Sequence, residues 1–418
     1  MSEWLTTVLS RAQSVNDWLS PKREQSLALL RDAKWPTRKT EAWKYTPLRA
    51  VENAQFTGAL TADAPVAAIP GLQSIDLVFV NGCFDAAQSS QYLPQGLSIT
   101  QLSEVSEADK AWALASFAAI KPSRHLFGLV NDALATEGAI IDVVANAKIA
   151  TPIRIVNQLT ENAEAHNRVL VRVAEQASLT VIEQTLGDAY SFNTCFAEYD
   201  IADDASLEHY RFALQGDKSM SVGGSHFNLA NRSQLNSSMV GFGSSLSRID
   251  VDVTHGGEHA FAKLNAIYLL DGEELFDLHS TIEHAQPHGT TEENVRGIVA
   301  DRATAVFNGR IHIHRDAQKT LAELNNRNLL MSNKAVINTK PELEIYADDV
   351  RCAHGATIAQ IDKTSLYYMQ SRGLSRAQAQ VMLNFGFINE LVDQMPNLAL
   401  AEWLRPQLRA RFAKMDVK

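Results

Sequence analysis

Val171-Arg172-Val173-Ala174-Glu175-Gln176-Ala177 returns as Tyr199-Asp200-Ile201-Ala202-Asp203-Asp204-Ala205, as Phe227-Asn228-Leu229-Ala230-Asn231-Arg232-Ser233 and as Val251-Asp252-Val253-Thr254-His255-Gly256-Gly257. The small residue after each apolar stretch falls at 174, 202, 230 and 254, in steps of 28, 28 and 24. Residues 297–303, 311–317 and 345–350 are later copies. Apolar and polar residues alternate in these copies with the period of a strand, and recurrence over 20–50 residues marks a stacked array. A single strand–corner–strand unit cannot bury its apolar side, but it can when the next coil is laid on top. Coils lie about 4.8 Å apart, so only small side chains fit beside the two polar corner residues. A parallel β-solenoid is the economical reading, and a β-sandwich with similar turns is the alternative.

Outward from this core, residues 139–360, the pattern turns helical. Trp4, Leu5, Val8, Leu9 and Ala12 recur at helical spacing, and Pro21 opens a second segment ending near Asp32. Residues 35–47, with two tryptophans, two prolines and four charges, are too irregular for one element. Residues 75–80 are a strand candidate closed by Asn81-Gly82. Residues 104–134 read as helix, with Trp112, Leu114, Phe117 and Ala118 at its apolar positions. Helix returns at 364–372, ended by Gly373, then behind the N-cap Ser375 as far as Val392, and again from Leu398. The expected plan is a mostly helical domain over 1–138, the β core over 139–360 and a helical domain over 361–418. The helical pieces are expected to cover the solenoid's exposed edges.

The 418 residues are 45% hydrophobic and 21% charged, enough for a sizeable core, and the formal charge of −10 argues against a nucleic-acid binder held by phosphates. The three cysteines, Cys83, Cys195 and Cys352, are far apart, which argues against a disulfide scaffold and for a reducing compartment. An acid at position 3 opposes a secretory signal, and no apolar run is long enough to span a membrane. A cytoplasmic protein without nucleic-acid or membrane partners is expected.

Several enzyme signatures are absent. No phosphate loop is present, Gly241-Phe242-Gly243 lacks the third glycine of a dinucleotide fingerprint, and residues 223–227 fail the nucleophile elbow because the fifth is Phe227. His255-Gly256-Gly257-Glu258-His259 matches H-x-x-E-H, but that pattern works on a helix and two glycines oppose one. His279, His284, His288, His312 and His314 read as outward-facing polar positions on a solenoid wall, since no carboxylate or thiol falls at ligand spacing. Cys352 and His354, two apart on an extended segment, put a sulfur and an imidazole on one face. Two ligands are too few for a closed zinc or iron–sulfur site. Either there is no metal site within one chain, or a second chain completes it. The plainer reading makes Cys352 a small buried hydrophobe and His354 a satisfied histidine.

Residues 36–46, Pro-Thr-Arg-Lys-Thr-Glu-Ala-Trp-Lys-Tyr-Thr, resemble a signature of the SufB/SufD family, in its SufD branch. Residues 305–309, 325–330 and 340–357 resemble further family segments, the last running Lys340-Pro341-Glu342-Leu343-Glu344-Ile345-Tyr346-Ala347-Asp348-Asp349-Val350 and on through Cys352-Ala353-His354-Gly355-Ala356-Thr357. One departure is that Ala303-Thr304 precedes the Ala-Val-Phe-Asn-Gly run, leaving Arg302 as the nearest basic residue. The resemblance implies a right-handed parallel β-helix between helical ends. It implies a non-enzymatic scaffold subunit of the SUF iron–sulfur cluster assembly system, pairing with a SufB-type paralogue and docking a SufC-type ATPase through the C-terminal helical domain. A homodimer of the chain alone stays open. The family's C-x-H histidine falls on His354, with Cys352 beside it, as shared ligands at a subunit interface. No cofactor is expected in the isolated chain, and a nascent cluster is expected at that interface. The rival class, a β-helix polysaccharide lyase or hydrolase, needs clustered carboxylates and an export signal, and Asp348-Asp349 at a corner supplies neither.

Overall fold

The computed structural model describes residues 2–56, 63–216 and 218–415. From Glu137–Val143 to Arg351–Ala359, successive strands alternate between two sheets, so each coil gives one strand to each. Among the described residues one sheet has ten strands and the other nine, and the coil-to-coil pairings are parallel. This is a parallel β-solenoid and not a sandwich. The strand Ile75–Val80 joins the larger sheet beside Ile153–Gln158.

The pairing corrects the repeat in two places. Val173 lies opposite Ile201 and Ile201 opposite Leu229, but Leu229 lies opposite His255, so the third step is 26 and not 24. A shift of two residues keeps every side chain on its face, which is why the pattern alone could not detect it. The small corner residues are Gly256 and Gly257, and a Cβ on Gly257 would stand 2.2 Å from the Asn231 nitrogen. The copy at 297–303 turns the opposite corner, between Thr290–Val299 and Thr304–Ile313.

The corner itself is specified by hydrogen bonding. Gln176, Asp204, Arg232, His259, His288 and Lys319 all adopt left-handed backbone, with φ from 54° to 63°. Such a residue costs about 1–2 kcal/mol when it is not glycine. Here each donates its N–H to a carbonyl of the next coil: Gln176 to Asp203 at 3.0 Å, Asp204 to Asn231 at 2.9 Å, Arg232 to Glu258 at 2.8 Å and Lys319 to Asp349 at 2.6 Å. A hydrogen bond of this kind contributes about 0.5–1.5 kcal/mol net, so the stack offsets much of the strain of its corners.

Helices cover the sides of the solenoid, and the expectation that they cover its ends is overturned. Phe192, Phe196, Met220 and Val222 on the outer face of the smaller sheet pack against Trp4, Leu5, Phe127 and Val130. These lie on or beside Glu3–Ala12 and Leu126–Leu134. Tyr210, Phe212, Ile267 and Ile298 on the outer face of the larger sheet pack against Ile388, Leu391, Leu404 and Phe412 of Arg376–Val392 and Leu398–Lys414. At the first end, Cys83–Phe84 and Leu97–Gln101 pair antiparallel and close the stack. At the last end, Val336–Ile345 and Arg351–Ala359 pair on one side only. The helix expected over 104–134 is two, Glu107–Ser116 and Leu126–Leu134. Between them the buried Glu198 carboxylate accepts from the Ala118, Ile120 and Lys121 amides at 2.7–2.8 Å, holding the chain out of helix. No helix among the described residues is long and apolar enough to cross a membrane.

The lumen is largely apolar but encloses polar groups, among them the Glu183 carboxylate, which meets Tyr199, His209, Arg211 and Ser225 at 2.7–2.9 Å. His284, expected on the outer wall, is buried inside and stacks on His255 with ring centroids 4.1 Å apart. Both Nε2 atoms meet the Thr291 hydroxyl at 3.0 Å. Glu293 is wholly enclosed, and burial pushes its carboxyl up to about 7. The folded chain therefore holds this proton more tightly than the unfolded one, where a glutamate titrates near 4.3. The stability associated with the neutral carboxyl is fully present below about pH 4 and is lost as pH rises through about 7. Glu293→Gln is expected to flatten the stability profile across that window and to raise Tm near pH 8. Denaturant unfolding at a series of pH values checks this, and an unchanged slope would assign the effect to another group.

Candidate functional site

The last three coils are built by the segments that stood out in sequence. Phe307 fills the lumen, and Gly309 admits Leu324, whose Cδ1 would lie 2.6 Å from a Cβ at that position. The Asn328 amide donates to the Asn326 side-chain oxygen at 2.7 Å and to the Thr357 carbonyl at 3.2 Å, tying the last strand to the one beneath it. Residues 346–350 form the last corner, where the Asp349 amide donates to the Gln318 side chain at 2.9 Å and its carboxylate pairs with Lys319.

On the last strand, Cys352 lies opposite Ala322 and His354 opposite Leu324. Ala322 and Leu324 are buried in the lumen, so Cys352 and His354 continue its inward-facing columns. Among the described residues no coil covers them. Cys352 is half-buried and His354 exposed. His354 makes no side-chain hydrogen bond or ion pair among the described residues. Burial pushes the Cys352 thiol up. One coil below Leu324 is Glu293, and below Ala322 is Thr291. The pair is thus a sulfur and a nitrogen on one face, open to solvent at an unpaired edge and short of the four ligands a closed site needs.

The other cysteines do not join it. Cys83 is exposed at the first end, opposite Val80. Cys195 is buried in the middle coils, where burial pushes its thiol up to about 12. His255 and His259 do not share a helix face: His255 ends the strand Leu246–His255 inside the lumen, and His259 is an exposed corner residue. His312 and His314 do face outward, but carboxylates are near, contrary to the sequence reading. Glu283 and Glu344 flank His312 across the ladder. His312 Nδ1 and Arg310 both meet the Glu344 carboxylate, at 2.9 and 2.6 Å. These neighbours are supplied by coils that the linear spacing keeps far apart.

The irregular run at 35–47 docks on the outer face of the smaller sheet. Its Trp43 ring lies 4.0 Å under the Arg248 guanidinium, the Ala42 carbonyl accepts from Arg248 at 2.5 Å, and Thr46 donates to Asp277 at 2.6 Å. Glu41 pairs with Lys340 of the last coil. Between this run and the terminal strands lies a cleft of about 650 Å³ lined by Lys44, Tyr45, Phe307, Ile337, Lys340 and Ile358.

Comparison with known proteins gives a consistent result. Residues 155–387 match the SUF system FeS cluster assembly SufBD core domain, and residues 8–155 match the SufBD protein N-terminal region. The chain is 31% identical to the iron-sulfur cluster assembly protein SufD of Escherichia coli, over 94% of this chain and 92% of that one. It is 30% identical to a SufBD family iron-sulfur cluster assembly protein of Synechocystis, over 93% and 90%, and 26% identical to the chloroplastic protein ABCI7 of Arabidopsis thaliana, over 96% and 90%.

The three thiol environments set a testable order. Brief alkylation of the native chain followed by mass spectrometry is expected to label Cys83 and Cys352 and to leave Cys195 unmodified until denaturant is added. Labelling of Cys195 in the native chain, or protection of Cys352, would contradict the placement of these thiols.

Proposed function

We propose, on the premise that this chain belongs to the SufBD family of the SUF iron–sulfur cluster assembly system, that it acts there as a non-enzymatic scaffold subunit with half of a shared assembly site. The observation that carries this reading is the asymmetry of the two ends. One is closed by antiparallel strands, while the other offers two strand edges of ten and nine residues with the inward-facing Cys352 and His354 beside them. Val336, Ile345, Tyr346 and Ile358 are exposed around those edges. Such an edge is a template for another chain, and strand addition would satisfy its backbone groups and cover the apolar rim. The partner is a SufB-type paralogue with the same coil geometry. It would bring the ligands that this chain lacks to iron and sulfide, the cargo of the site. Cys352 must lose its proton to bind iron, and His354 offers a ring nitrogen beside it.

The C-terminal helices are the dock for a SufC-type ATPase. Tyr367, Tyr368, Met382 and Leu398 are exposed there, while Ile388, Leu391, Leu404 and Phe412 anchor the same region to the larger sheet. A movement imposed on these helices by closing ATPase subunits would be passed to the coils and open the shared seam. Anaerobic reconstitution of His354→Ala with both partners tests the assignment. The complex is expected to form in normal amount while cluster yield falls at least tenfold, and loss of the complex itself would make His354 a structural residue.

A further inference from the structure

We infer that the chain carries a divalent transition-metal site of the zinc type, built from His125, His226 and Asp252 at the seam between the N-terminal helices and the middle coils. His125 caps the start of Leu126–Leu134. His226 and Asp252 lie directly opposite each other on Ser219–Leu229 and Leu246–His255. His125 Nε2 and His226 Nδ1 converge on one oxygen, Asp252 Oδ2, at 2.7 and 2.8 Å. The three candidate ligand atoms lie within 4.8 Å of one another.

Two imidazoles and one carboxylate, with a fourth position left for water, form a donor set that suits zinc. Tetrahedral bonds of about 2.0–2.2 Å separate ligand atoms by roughly 3.3 Å, so the two nitrogen–oxygen separations need to open by about half an ångström. The ring protons now shared with Asp252 would leave those positions. The surroundings hold the donors in place. His125 Nδ1 faces Asp250 Oδ2 at 3.4 Å, Asp250 is held by Arg248 at 2.8 Å, and Arg124 pairs with the other oxygen of Asp252. A carboxylate behind a ligating histidine is the usual outer contact of a metal site. The His226 ring is fixed by stacking on Phe196, 5.9 Å away and inclined by 4°. Arg124 is half-exposed and marks the side from which an ion would enter. A metal here would staple the helical region to the solenoid, far in sequence from Cys352 and His354.

Chelator-treated full-length chain titrated with Co²⁺ and followed by visible absorption tests this, with Zn²⁺ calorimetry and Tm alongside. One ion per chain is expected, with tetrahedral nitrogen–oxygen bands and no sulfur charge-transfer band, and with affinity unchanged in Cys352→Ala/His354→Ala. His226→Gln and Asp252→Asn are each expected to weaken binding at least tenfold and to abolish the Zn²⁺-induced rise in Tm. Asp252→Asn preserves shape and serves if His226→Gln does not fold. No uptake at about 0.1 mM metal, uptake indifferent to Asp252→Asn, or uptake lost only with Cys352 and His354 would overturn the site.

Discussion

A strand in a stacked coil is satisfied by the coil above and the coil below, so the last coil is always one neighbour short. Everything distinctive about this chain follows from that constraint. Within the stack it explains how non-glycine residues such as Arg232 and Lys319 hold left-handed corners, since each corner amide is captured by a carbonyl of the next coil. At the first end the shortage is met by antiparallel strands of the same chain. At the last end nothing among the described residues meets it. Helices on the two side faces stiffen the stack without closing that end.

The position of Cys352 and His354 is a consequence of the same geometry. Register places them over Ala322 and Leu324 in columns that elsewhere lie inside the lumen. Only the lack of a further coil turns these interior positions into exposed ones. A thiol and an imidazole placed in this way point inward at the rim of the stack, beside its unpaired edge. This is compatible with the family's place in iron–sulfur cluster assembly, and among the described residues no complete ligand set surrounds the pair.

Much of the fold was legible because the corner leaves a local trace: small residue, two polar residues, small residue. The solenoid and the pairing of Cys352 with His354 on one face came from that trace and from strand periodicity. What failed depended on distant neighbours. Counting the third step as 24 set Asp252 against Asn228, whereas the true step of 26 sets it against His226, and so the His125–His226–Asp252 cluster had no sequence signature. His312 seemed to lack carboxylates because Glu283 and Glu344 approach it only across the ladder. The helix over 104–134 broke because Glu198, far along the chain, takes three of its amides. The location of the helices on the sides, and not the ends, rests on outward residues such as Phe196 and Phe212, whose periodicity gives the face but not the partner.

Backbone hydrogen exchange of residues 336–345 and 351–359 tests the unpaired last coil most directly. In the isolated monomer the outward-directed amides of these strands are expected to exchange rapidly while those of 304–313 and 321–330 stay protected, and addition of the paralogous subunit should slow them to the rates of the interior coils. Protection already complete in the verified monomer, or rates unmoved by the partner, would contradict the idea that this coil waits for a neighbour.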